Sequence, residues 1–445
     1  MSFPRYERYK NIGVEWLGEV PEHWSIRRMK TLFEIKKRIA GDTGYDVLSI
    51  TQSGIKIKDT ESNEGQVAMD YAKYQFVYPG DFAMNHMDLL TGYIDISKVE
   101  GVTSPDYRVF SVRDATACHP SYFLRLFQSA YHQKIFYAFG QGASQFGRWR
   151  LPTEAFNEFA LPYPPLPEQA LLSGFLDRET AKIDALIEEQ RRLIELLKEK
   201  RLAVISHAVT KGLHAIARMK HSDIEWIGDV PEHWRVGRCG FYLSIVSGFA
   251  FPSDQFSHDE SDTRLLRGIN VGVGRIRWDE TVYWRRLPHD GLDDYEMHEG
   301  DLILGMDRPL IGGGVRVAKL GASDTPSLLL QRVICLKVGP SLDSGYLLAL
   351  LSSEMFIAHF APETTGVSVP HISPEQVANF MIPLPPLQEQ NLIAAHIHAE
   401  VKKSEELTST VDYLIQLLQE RRSALISAAV TGKIDVRNYT PKEAA

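Results

Sequence analysis

The chain contains itself twice, and that repetition restricts its possible folds more than any other feature. Val14–Trp24 reads VEWLGEVPEHW and returns as Ile224–Trp234, IEWIGDVPEHW; eight of eleven positions are identical. The other three exchange only Val/Ile, Leu/Ile and Glu/Asp. LPYPPLPEQ at 161–169 returns as IPLPPLQEQ at 382–390. LIELLKEKRLAVISHAVTKGL at 193–213 returns as LIQLLQERRSALISAAVTGKI at 414–434, with twelve of twenty-one positions identical. The offset is 210 for the first pair and 221 for the other two, so two copies of one module enclose segments of different length. Residues 25–150 and 235–370 barely resemble each other. They share Pro79-Gly80-Asp81 against Glu299-Gly300-Asp301 and Ser104-Pro105 against Thr325-Pro326. A repeated frame around a divergent payload points to two related folds that read two different things.

Periodicity supplies a coarse structure. The payloads alternate short apolar runs (YDVLSI, QFVYPGDFAM, LLRGINV, RVICLKV) with Gly, Pro, Asn and Asp. That pattern predicts strands and loops, with helices over 122–137 and 346–359. After the proline runs, Glu168 to about Lys211 holds no proline, and Pro167 suits a helix start. Ile183, Ile187, Gln190, Ile194, Leu197, Arg201, Val204 and Ala208 follow alternating steps of four and three. Thr408, Val411, Ile415, Leu418, Arg422, Leu425 and Ala429 repeat the pattern, which is a coiled-coil seam. Two paired helices of roughly 60 Å follow from about 1.5 Å per residue. Separate amphipathic helices on globular cores are the alternative.

At 445 residues, 44% hydrophobic and 24% charged, the chain has the balance of a folded protein with more than one core. Cys118, Cys239 and Cys335 are isolated, which argues for reduced thiols in a cytoplasm and against a disulfide framework. Arg5, Arg8 and Lys10 precede no apolar run of a signal peptide, and no stretch suits a membrane span. Net charge is −8, yet residues 1–165 hold 19 basic and 19 acidic side chains, against 13 and 22 in 222–387. Phosphate contact needs a local basic face, so the acidic total weakens DNA binding without excluding it.

The three ordered, duplicated motifs resemble the conserved regions of specificity subunits of type I restriction–modification systems. They cover roughly a third of the chain. The resemblance implies a mixed α/β fold: two target-recognition domains separated by two long antiparallel coiled-coil helices. The corresponding spans are 1–165 and 214–387 for the domains, 166–213 and 388–434 for the helical spacers, and 435–445 for a tail. It implies that each domain binds one half of an interrupted site on double-stranded DNA, and that the helices dock two modification (methyltransferase) subunits. Restriction and translocase subunits are further partners the resemblance allows. S-adenosylmethionine, ATP and Mg would sit on those partners, with no cofactor, metal or active site in this chain. Because the two payloads differ, the target is expected to be non-palindromic, with half-sites about one helical turn apart. A scaffold that has lost DNA recognition, or a stand-alone DNA enzyme, are the competing readings.

No motif in the sequence completes a catalytic constellation. The Pro-Pro pairs at 164–165 and 385–386 lack the preceding Asn or Asp of a base-methylating pocket. Gly312-Gly313-Gly314 is not followed by Gly-Lys-Ser/Thr, so it is no P-loop. Pro105-Asp106 follows rather than precedes Glu34-Ile35-Lys36, and His396 and His398, two apart on a helix, do not face each other. Candidate DNA contacts are donors and acceptors in loops and cations on strands. The loop 140–150 offers Gln141, Ser144, Gln145, Arg148 and Arg150, and its counterpart offers Ser368 and His371, with His371 matching Arg150 at the 221 offset. After each Gly-Asp pair come Asn85-His86 and Asp307-Arg308. Arg264, Arg267, Arg275, Arg277, Arg285 and Arg286 form the densest basic patch; the first four are candidate contacts, with surface pairing to Asp279 and Glu280 the alternative. Lys56 and Lys58 are the weaker counterpart. Trp16, Trp24, Trp226 and Trp234 could stack on bases, but they lie in the repeated frame and are assigned to the domain base.

Overall fold

The computed structural model describes residues 3–59, 71–142, 149–311, 314–364 and 370–439. The chain divides into two units, Met1–Glu189 with Tyr413–Ala445, and Gln190–Asp412. The first is built on a four-stranded antiparallel sheet in the order Phe33–Lys36, Arg108–Val112, Phe82–Met84, Ile94–Ile96. The second repeats it with Leu243–Ser247, Val333–Val338, Leu302–Gly305 and Val317–Lys319. The two inner strands of each sheet are buried without alternation over most of their length because both faces are covered. Phe82, Met84 and Phe110 face the main core, while Ala83 and Val109 enter a second cluster with Leu48, Ile50 and Val77. Likewise Leu302, Leu304, Ile334 and Leu336 face one core of the second unit, and Ile303, Val333 and Cys335 the other. The second unit adds the sheet Tyr283–Trp284, Thr263–Leu266, Ser327–Leu329, Glu296–Met297, in which Thr263–Leu266 and Ser327–Leu329 run parallel.

One helix was expected over 122–137; two form. Pro120–His132, with proline in its first turn, buries Tyr122, Phe123, Leu126, Phe127 and Ala130. It stops where Lys134 takes φ +57°, the left-handed region that no helix continues through, and Ile135–Ala138 follows. The second expected helix likewise divides into Ser344–Leu351 and Glu354–Thr364, between which the buried Ser353 hydroxyl donates to Leu350 O at 2.6 Å.

The long helices are Leu166–Lys211 and Leu387–Val430. All fifteen seam positions read from the sequence are buried or half-buried. Within the first unit Ile183 and Ile187 share a core with Leu425 and Ile426, and Arg422 Nε donates to Asp184 Oδ1 at 2.8 Å. Within the second, Ile205 and Val209 share a core with Ile393 and Ile397, and Arg201 donates to Glu405 at 3.2 Å.

The repeated motifs recur because they bond one another. Trp24 Nε1 donates to Glu168 Oε1 at 3.1 Å, and His23 Nε2 pairs with Oε2 at 2.8 Å. Trp234 and His233 hold Glu389 at the same two distances. The next residue fastens the sheet helix: Gln169 accepts from His119 N and donates to Pro164 O, as Gln390 accepts from Asp343 N and donates to Pro385 O. The third motif crosses over. Tyr122 OH of the first unit donates to Val430 O at 3.0 Å, and Tyr346 OH of the second to Val209 O at 3.3 Å. Each unit is therefore completed by the helix end that belongs, in sequence, to the other repeat. Trp24 and Trp234 are fully buried, whereas Trp16 stacks on Phe159 and Trp226 tilts against His359, both half-buried.

Candidate DNA interface

Two segments that the sequence offered separately meet in each unit. The chain leaving the Gly-Asp strand lies beside the chain that leads to the long helix. In the first unit Leu151 N donates to His86 O at 2.9 Å and Leu89 N to Trp149 O at 3.0 Å. In the second, Ile372 N donates to Met306 O at 3.0 Å and Arg308 N to Pro370 O at 2.8 Å. Asn85, His86, Gln141 and Arg150 are thus neighbours, as are Arg308 and His371. Gln141 and Arg150 exchange two backbone hydrogen bonds at 2.9 and 3.0 Å, closing the base of their loop. Ser144, Gln145, Arg148 and Ser368 lie outside the described residues.

The neighbours differ in what they can offer a ligand. Arg150 and Gln141 are exposed. Asn85 is occupied locally: its side chain accepts from Met87 N at 3.3 Å and its carbonyl from Tyr131 OH at 2.7 Å. His86 is half-buried, and burial, with Arg108 and Arg150 beside it, pushes its pKa down to about 3. It is therefore neutral at physiological pH and contributes no cation. An unfolded chain takes up a proton at this residue near 6.5, while the folded chain resists to about 3. Protonation thus favours the unfolded state increasingly as pH falls through that window. His86→Gln should shrink the gap between urea midpoints measured at about pH 7 and about pH 4.5; an unchanged gap would acquit His86 as the linked group.

In the second unit Asp307 pairs with His371 Nδ1 at 2.7 Å and accepts from Arg332 Nη1 at 2.8 Å. Burial pushes this carboxyl up, but the hydrogen bonds from Arg332 and His371 hold it below the usual range. Arg308 is exposed with φ +46°, and among the described residues no partner for its side chain is found. Left-handed backbone at a non-glycine is strained, and such strain concentrates at functional loops. The tight turn Gly272–Arg275, closed by Gly272 N donating to Arg275 O at 2.9 Å, carries the exposed Arg275, and the exposed Arg277 follows just beyond it. With Lys198, Arg201, Glu405 and Asp412 they line an open cleft of about 640 Å³.

The rest of the arginine patch is committed elsewhere. Arg264 lies 4.5 Å over Trp278 and donates to Ser323 O at 2.7 Å; Arg267 donates to Glu280 O. Arg285 pairs with Asp262, and Arg286 with Asp290, Asp293 and Glu296. Lys56 is exposed on the hairpin strand Gly54–Ile57, and Lys58 just beyond it is half-buried. Sequence reasoning missed two residues. Arg108, buried, lies over Phe156 and donates to Leu151 O at 3.2 Å and Thr153 Oγ1 at 3.3 Å; Arg316 makes an analogous double contact in the second unit. Their one signal was an arginine set in an otherwise apolar strand run.

The family model for the type I restriction modification DNA specificity domain matches residues 21–196 and 289–411, more than half of the chain. The type I restriction enzyme MjaVIII specificity subunit of Methanocaldococcus jannaschii is 30% identical over 64% of this chain and 64% of its own. The EcoAI specificity subunit of Escherichia coli is 32% identical over 48% of this chain and 35% of its own. The chain thus spans under two thirds of these two relatives. The putative MjaX specificity subunit of M. jannaschii is 23% identical over 98% of this chain and 99% of its own. Two solved structures share the fold. A chain from work on complex assembly and conformational transition of the type I R-M system has a TM-score of 0.64 at 17% identity, covering 92% of this chain and 98% of that one. The HsdS subunit from Thermoanaerobacter tengcongensis has a TM-score of 0.51 at 16% identity, covering 93% and 98%.

Proposed function

The chain belongs to the type I restriction modification DNA specificity family, and from that premise we propose that it reads an asymmetric, bipartite DNA site and docks two methyltransferase subunits. Residues 1–165 and 214–387 are the two readers. The observation that carries this is the junction described above. One backbone arrangement recurs in both units, yet it presents Gln141 and Arg150 in the first and Arg308, His371 and Asp307 in the second. Equivalent frames with different donors and acceptors discriminate different base edges. Among the described residues no group of three or more His, Cys, Asp or Glu side chains is arranged to hold a metal ion, and no helix is long and apolar enough to cross a membrane. This reading assigns methyl transfer, and with it S-adenosylmethionine, to the partners; ATP and Mg belong to any restriction subunit.

Two copies of one partner are supported by leucines that water-facing helices would not otherwise keep. Leu171, Leu186, Leu414 and Leu417 are exposed in the first unit. Their counterparts at the 221 offset, Leu392, Leu407, Leu193 and Leu196, are exposed in the second. Leu186 and Leu407 are 44% and 46% exposed, and Leu193 and Leu414 40% and 42%. Each unit therefore offers the same four-leucine set. Leu414→Asp with Leu417→Asp should remove one partner copy, and adding Leu193→Asp with Leu196→Asp should remove the second, read as stoichiometry by native mass spectrometry. Unchanged stoichiometry would place the docking surface elsewhere.

The function itself is tested by mapping methylated bases in cells with and without this chain beside its modification subunit. A bipartite asymmetric motif that appears only with the chain supports the reader role and supplies the target. A motif that survives deletion of the chain rejects it.

A further inference from the structure

Arg316 stands between the hairpin strand Gly314–Val315 and the sheet strand Val317–Lys319, half-buried. Its Nε donates to Val271 O at 3.0 Å and its Nη1 to Asp307 O at 3.0 Å. The side chain lies across Gly305, where a Cβ would stand 3.6 Å from Arg316 Cβ, Cζ and Nε. One planar group thus joins the turn that carries Arg275 and Arg277 to the loop that carries Arg308. Its hydrogen bonds end on carbonyls rather than on a carboxylate. The nearby Asp307 carboxylate is already shared by Arg332 and His371. Burial pushes the Arg316 pKa down, Arg277 and Arg308 push it further, and the Asp307 carboxylate opposes them, so Arg316 interacts with both neighbouring arginines. Like charges gathered this way cost the free protein stability and are relieved by a polyanion.

We propose that Arg316 is the positioning residue of the second reading surface. It holds the Arg275–Arg277 turn and the Arg308 loop in the mutual placement in which both meet one DNA duplex, without touching DNA itself. This rests on the DNA-reading function proposed above. A lysine cannot replace it, since a single ammonium lacks the flat fork that spans two carbonyls.

The test selects binders from a randomised duplex library, using the full-length chain with the subunits that copurify with it. Wild type, Arg316→Lys, Arg316→Met and Arg308→Ala are compared, with thermal unfolding of each. Wild type is expected to select two half-sites. Both Arg316 variants should blur the half-site that Arg308→Ala alters, with about a tenfold loss of affinity for the wild-type duplex. The other half-site should stay sharp, and Arg316→Lys should melt within about 3 °C of wild type. Variants that select both half-sites as wild type does overturn the inference alone. Loss of both half-sites together with a large fall in melting temperature marks a general structural role and also overturns it. A wild-type chain that selects no sequence refutes the DNA-reading function, and the role of Arg316 falls with it.

Discussion

Trp24→Ala lowers the unfolding free energy of the first unit by about 3–5 kcal/mol, the range for truncating a fully buried large aromatic. The indole is completely enclosed, and its Nε1 donates to Glu168, a nearly buried carboxylate that Tyr6 OH and His23 also hold. Removing it opens a cavity and leaves that carboxylate one donor short, so the transfer and hydrogen-bond penalties add. The far side of the ring supports the end of the second long helix: a Cβ at Gly432, φ +73°, would stand 3.0 Å from it. Trp234→Ala should cost the second unit a similar amount. Trp16→Ala, half-buried and with no partner for its indole N–H among the described residues, should cost about 1–2 kcal/mol. Hydrogen exchange under urea, followed by unit, separates these effects where a single transition would merge them. A cost below about 1 kcal/mol for Trp24→Ala would remove the tryptophan from the base of the fold and revive base stacking.

Arg277→Ala combined with Arg308→Ala should weaken DNA binding about 10- to 100-fold and lower the slope of log affinity against log salt by about two. Both side chains are exposed, and among the described residues no carboxylate pairs with either. Arg286→Ala is the matched control. That residue sits close by in sequence, but its guanidinium is consumed by Asp290, Asp293 and Glu296, so its loss should leave the slope alone and lower stability instead. Affinity measured from about 50 to 200 mM salt decides the matter. A double variant with an unchanged slope would show that these arginines face no phosphate.

The same contrast shows where reading the sequence stops. Arg264, Arg267, Arg275, Arg277, Arg285 and Arg286 look alike as letters, and the strand spacing that would put 275 and 277 on one face meets a tight turn instead. Which of the six are spent on Trp278, Ser323, Glu280, Asp262 or Asp290 depends on residues up to about sixty positions away. Local periodicity carries no record of such partners. His86 is a candidate contact by its place after the Gly-Asp pair, but its neighbours Arg108 and Arg150 come from distant segments, and burial beside them makes it a neutral imidazole rather than a cation.

The sequence by itself determined the duplication, the two long helices, their seam and the assignment of Trp24 and Trp234 to the frame. Each of these is written in repetition or in a 3.5-residue period, and both survive without knowledge of the fold. Only the tertiary structure decided that the third motif of each repeat closes the opposite unit, through Tyr122 to Val430 and Tyr346 to Val209. It alone brought Arg316 to Val271 and Asp307. The reason is physical: a seam specifies that a helix face will be buried, whereas its partner is chosen by which surfaces the folded chain brings within contact distance.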